Sequence, residues 1–144
     1  MRKLGIMIIL CAALQVNAYD LDQLEAIFKS TRLTELPQIA VNLSARGSIL
    51  QSKGQYKEAI DLYTQSLHLR DKLGLSKTSG YATVLFLKTI AHHKTGESCV
   101  AMGNINQVIE IYNLLGKDAE AKMAEEEGLN VYKKSCQGDL LTQN

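Results

Sequence analysis

From Tyr56 to Leu67 apolar or small residues recur at steps of three and four. Tyr56, Ala59, Ile60, Tyr63, Ser66 and Leu67 share one stripe of a helix, with Lys57, Glu58, Asp61, Gln65 and His68 opposite. The pattern predicts an amphipathic, half-buried helix with a solvated charged side. Upstream, Ile39, Ala40, Leu43, Gly47 and Leu50 make a second stripe. Its helix opens just after Pro37, the chain's only proline, and closes at Gly54, where a residue without Cβ ends the last turn. Two antiparallel helices joined by a short turn result.

That hairpin recurs along the chain. Shifted by 42 residues, Ala40 falls on Ala82, Leu43 on Leu85, Gly54 on Gly96, Ala59 on Ala101, and Leu73-Gly74 on Leu115-Gly116. A further shift carries Ala82 to Ala124 and Gly96 to Gly138, so a third unit has its first helix, closing at Gly138, and lacks its second. A rival shift of 49 lays GNINQVIEIY, Gly103 to Tyr112, on GQYKEAIDLY, Gly54 to Tyr63. The 42-residue spacing matches both helices without an insertion but places Gly103 and Asn104 inside a helix. Either period implies stacked helix pairs that cannot bury their faces alone.

Two flanking segments are also helical in pattern. In DLDQLEAIFKSTRL, Asp20 to Leu33, the residues Leu21, Leu24, Ile27 and Phe28 lie on one side. KDAEAKMAEEEGLNVYKKS, Lys117 to Ser135, is rich in strong helix formers. The run VLFL at Val84 to Leu87 sits in helical spacing. The expected fold is all-α, about six helices with no strand.

Residues 1–18 change how the rest is read. A basic start, Met1-Arg2-Lys3, precedes the apolar run LGIMIILCAAL, and Ala18 supplies a small residue at a cleavage site before Tyr19. This is the layout of a signal peptide. The run is shorter than the roughly 20 residues a membrane-spanning helix needs, and bulky Leu10 stands before Cys11 where lipoprotein processing prefers a small residue. Removal of Arg2 and Lys3 lowers the 16 basic residues to 14 against 15 acidic ones, a net charge of −1 with histidines neutral. That balance gives no basis for nucleic-acid binding. The expected product is a single extracytoplasmic domain, secreted or periplasmic, with no membrane insertion after cleavage. Of three cysteines, Cys99 and Cys136 remain, and export favours pairing them.

Candidate chemistry is sparse. His92 and His93 are adjacent and point about 100° apart on a helix, His68 belongs to another hairpin, and neither His-x-x-x-His nor Cys-x-x-Cys occurs. There is no Gly-x-Ser-x-Gly and no phosphate-binding glycine loop. Glu125-Glu126-Glu127 reads as a solvated helix face. No enzyme activity, cofactor or metal site is expected.

The repeating residues resemble tetratricopeptide repeats in the longer 42-residue form of kinesin light chain-like proteins. Gly47, Gly54, Tyr56, Ala59-Ile60, Tyr63 and Leu73-Gly74 fit that pattern. The second unit keeps Gly96, Ala101, Ile109 and Leu115-Gly116, while Thr89, Ser98 and Ile105 depart from it. The resemblance implies a right-handed α-solenoid of antiparallel hairpins. Its divisions are an N-terminal helix in 19–37, repeats at 38–79 and 80–121, and a partial repeat or capping helix at 122–144.

It also implies a concave groove lined by the first helices of successive units. Here these contribute Ser44, Ser48, Gln51, Phe86, Ile90, His93 and Lys94, with Tyr132 from the last helix. Phe86 and Ile90 either face a partner or pack under the opening helix. Ser44 and Ser48 stand where a clamp for a terminal carboxylate would need basic or asparagine side chains. The implied function is non-catalytic binding of a peptide or helical segment of a protein partner, with association into an oligomer or larger assembly as a second expectation. The alternative is a secreted helical protein that binds a small ligand or a metal through His92 or His93. In an up-down-up stack Cys99 and Cys136 fall at the same end on neighbouring helices, which favours a disulfide between them.

Overall fold

The computed structural model describes residues 21–30, 32 and 34–142. The predicted signal peptide, Cys11 and the cleavage position lie outside these, as do the side chains of Leu21, Ile27 and Phe28. The described chain is an all-α stack of antiparallel hairpins. Its helices are α1 (Leu21–Ser30), α2 (Leu36–Ser52), α3 (Tyr56–Lys72), α4 (Ser79–Lys94), α5 (Ser98–Leu114), and a last helix of three parts. These parts are α6 (Asp118–Met123), a π-helical segment (Ala124–Leu129) and α7 (Asn130–Thr142). Helix α2 packs on α3, α3 on α4, α4 on α5, and α5 on the last helix, while α1 lies against α3.

The four central helices stop in the same way. After α2 the Gln55 amide donates to the Leu50 carbonyl and the Gly54 amide to that of Gln51, both at 3.0 Å. After α4 the Glu97 amide donates to His92 at 2.9 Å and the Gly96 amide to His93 at 3.1 Å. This paired closure satisfies the last carbonyls only if the residue past the helix is left-handed. Gly54 and Gly96 have φ of +78° and +83°, and Gly74 and Gly116 close α3 and α5 with +72° and +66°. The geometry therefore repeats at 42 residues in both halves of the hairpin. Gly103 lies inside α5, where it is exposed and nothing crowds its β position.

Within the first hairpin the helices approach closely because Gly47 has no side chain. A Cβ there would stand 2.8 Å from Cε1 of Tyr63. The crossing is also tied by the buried Ser66 hydroxyl, which donates to the Ala40 carbonyl at 2.7 Å. Two apolar clusters result. One gathers Leu24, Leu36, Ala40, Leu43, Leu62 and Leu69. The other runs from Ala59, Tyr63 and Leu67 through Leu85 and Ile105 to Tyr132.

Helix α3 is not the half-solvated helix its pattern predicts. Leu62, Gln65 and Leu69 are buried in addition to Ala59, Tyr63, Ser66 and Leu67 of the expected stripe, because α1 covers their side, while Tyr56 and Ile60 of that stripe are half-buried. Leu24 packs with Leu62 and Leu69, and Glu25 Oε1 lies 3.2 Å from His68 Nε2 and 3.0 Å from Lys72 Nζ. His68, expected on the solvated face, is thus half-buried against α1.

The last helix departs from the expected third unit. Its buried residues are Ala121, Ala124, Gly128, Tyr132 and Cys136, spaced three, four, four and four. A step of four overshoots a turn of regular α-helix by about 40°, so three in a row drift about 120°, and one wide π turn takes up most of that. Gly128 fits because a Cβ there would meet Ile105 at 3.0 Å. Beyond the wide turn the 42-residue correspondence slips by one position. Gly138, expected to end this helix as Gly96 ends α4, lies within α7 without a positive φ.

Candidate partner-binding groove

The groove residues are placed by the two first helices, α2 and α4, which lie side by side. On α2, Ser48 is exposed and Ser44 half-buried, with the Ser44 hydroxyl donating to the Val41 carbonyl at 2.9 Å. Gln51 is also half-buried, and its Oε1, sealed from solvent, has no hydrogen-bond partner among the described residues. Beneath them the Tyr63 side chain is fully buried, and burial raises its phenol above the ordinary range, with nearby Ser48 offsetting part of the shift.

On α4, Phe86 and Ile90 are both half-exposed. Phe86 also packs against the larger core cluster, so it is part wall and part core. Ile90 carries the more separable apolar surface. Thr83 and Leu87, which sequence reasoning did not single out, share the open side of α4, the first exposed and the second partly so. From Ser79 to Ile90 this open side carries no charge, and Lys94 supplies the first at its far end. The signal was legible in the absence of charged residues at the outward spacing of α4.

At that far end the polar groups are already paired. His93 Nδ1 lies 3.0 Å from Ser98 Oγ, and its ring sits 4.9 Å from that of Tyr132. His92 Nδ1 lies 2.8 Å from Glu97 Oε2, and the Thr95 hydroxyl donates to the same oxygen at 2.9 Å. These two contacts, His92 first, hold the Glu97 carboxyl below its ordinary range. His92 and His93 thus turn to different partners. Among the described residues no three His, Cys, Asp or Glu side chains come together to hold a metal.

Tyr132 does not line the groove. The π turn rotates it inward, where it is 4% exposed and burial raises its phenol. Its ring lies instead against that of His93. One turn further on, Cys136 is disulfide-bonded to Cys99 in the first turn of α5, with Cα atoms 4.7 Å apart. The bond fastens the last helix to α5 beside the Ser98–His93 contact. Among the described residues no helix is long and apolar enough to cross a membrane.

Compared with known proteins, the chain matches no family model and no curated protein.

Proposed function

We propose that this chain is an exported, tetratricopeptide-like interaction module. It binds a peptide or helical segment of a protein partner between α2 and α4 and carries out no chemistry of its own. The observation that carries the reading is the pair of neighbouring uncharged helix faces. They run from Ser44 and Ser48 to Phe86 and Ile90, on a hairpin geometry that repeats every 42 residues. An open strip with one apolar anchor and hydroxyls around it suits a segment held by a few apolar side chains, with polar groups fixing its direction. The disulfide supports an oxidising compartment, periplasmic or extracellular.

The test is capture of a partner from the extracytoplasmic fraction by the wild-type protein and by Ile90→Asp, with circular dichroism and melting temperature measured alongside. Ile90 is the anchor to change because Phe86 also supports the core. A partner retained by wild type and lost by a variant that melts normally supports the groove. Equal capture by both rejects it.

A further inference from the structure

The outward face of α2 has a property the groove does not use. Val41 and Ile49 are large aliphatics left 45% and 54% exposed, with exposed Ala45 midway between them. Around them the exposed residues are Asn42 and Ser48, then Gln38 and Ser52. None of these carries charge. Arg46, the one charged residue of α2, is turned about 100° from Ala45. The outward sides of α3 and of the last helix, by contrast, carry Lys57, Glu58 and Asp61, and Glu125, Glu126, Lys133 and Lys134.

The face is also symmetric along the helix. Counted from Ala45, Val41 and Ile49 stand four residues away on either side, Asn42 and Ser48 three, and Gln38 and Ser52 seven. Two copies of α2 laid antiparallel with Ala45 on a twofold axis would bring Val41 of each against Ile49 of the other and Asn42 against Ser48. Gln38 would then meet Ser52. Apolar meets apolar and polar meets polar, with a small residue where the helices are closest. A twofold contact sets a patch against itself, so any charge near the axis would meet its own kind, and here there is none.

We propose that α2 is the self-association helix of this protein, forming an antiparallel twofold dimer centred on Ala45. One helix pair is a small interface, below about 1,200 Å² in total, the size of weak and transient contacts, so the dimer is a reversible one. Because Ser48 belongs to both surfaces, dimerisation covers one side of the groove. The inference itself does not depend on the groove having a partner.

Sedimentation equilibrium of the purified protein from low to high micromolar concentration tests it, using Ala45→Glu, Ala45→Lys and their equimolar mixture. Ala45 is exposed within a helix, so both variants keep the fold, which circular dichroism checks. The wild type should move from monomer towards dimer with concentration. Each variant alone should associate at least about tenfold more weakly because like charges face each other across the axis, and the mixture should recover association as a heterodimer. A wild type that stays monomeric, or an Ala45→Glu protein that associates as well as wild type, overturns the proposal. Weakening without recovery in the mixture overturns the twofold register about Ala45.

Discussion

The Tyr63 ring lies against the backbone of Gly47, with Cε1 only 2.8 Å from where a β-carbon at that position would stand. The contact sets how closely α2 and α3 approach. Gly47→Ala should therefore cost about 1–3 kcal/mol by overpacking, despite the better helix propensity of alanine. Tyr63→Leu opens a cavity on its own. Combined with Gly47→Ala it should cost less than the two changes added, because each relieves the other. Urea denaturation of the four proteins reads out the coupling.

Glycines elsewhere separate into two behaviours. Gly96 closes α4 with a φ of +83°, so Gly96→Ala should destabilise by about 1–2 kcal/mol. Gly103 has ordinary helical backbone, is exposed and has free space around it, so Gly103→Ala should stabilise by up to about 1 kcal/mol. Opposite shifts in melting temperature are the expected result.

The Cys99–Cys136 bond closes a loop of sequence separation 37, for which loop-closure entropy gives about 3–4 kcal/mol. Cys99→Ser with Cys136→Ser should lower stability towards that amount. The loss should be concentrated where the tie acts. Hydrogen exchange should accelerate in α7 well before it does in α2 and α3.

Glu25 joins α1 to α3. Lys72, and after it His68, hold its carboxyl below the ordinary carboxylate range. A carboxyl depressed on folding contributes stability that is present above its unfolded pKa and lost as pH falls through the folded value. Acidification through the carboxylate range should therefore loosen α1, by a small amount since the pair is exposed to solvent. Glu25→Gln should remove that part of the acid sensitivity, seen as a flatter dependence of melting temperature on pH.

Deleting Glu126 removes the extra residue of the wide turn, and in regular helix the spacings become three, three, four and four, which keeps Ala121, Ala124, Gly128, Tyr132 and Cys136 on one face. Tyr132 and Cys136 then stay against α5. The variant should still form the Cys99–Cys136 bond, whereas inserting an alanine after Asn130 turns Cys136 away by about 100° and should leave free thiols, which titration after oxidative refolding would detect.

Much of the stack was legible because glycine and alanine report backbone requirements that neighbours cannot override. The recurrence of Gly54 at Gly96 and of Gly74 at Gly116 marked real left-handed helix ends. The apolar stripe of α2 located Ala40, Leu43 and Gly47 correctly in the interior. Helix α3 was misread because Gln65 and His68 look solvated in any local window, and only the long-range arrival of α1 covers them. In the last helix, carrying a 42-residue correspondence past Ala124 concealed a spacing already present in Ala124, Gly128, Tyr132 and Cys136. The same habit placed Tyr132 on the groove. The neutral runs of α2 and α4 were visible in the sequence, whereas the division of Phe86 between wall and core follows from packing.

The two apolar clusters meet at one element. Leu62 and Leu69 of α3 belong to the cluster shared with α1 and α2, and Ala59, Tyr63 and Leu67 of the same helix to the one that runs on through α4 and α5. Helix α3 is thus a partition wall with both sides in use. Fraying from the N-terminal end can strip α1 while one side of that wall remains covered. Loss of α3 itself removes Leu62 and Leu69 from one cluster and Ala59, Tyr63 and Leu67 from the other, so a single event opens both interiors.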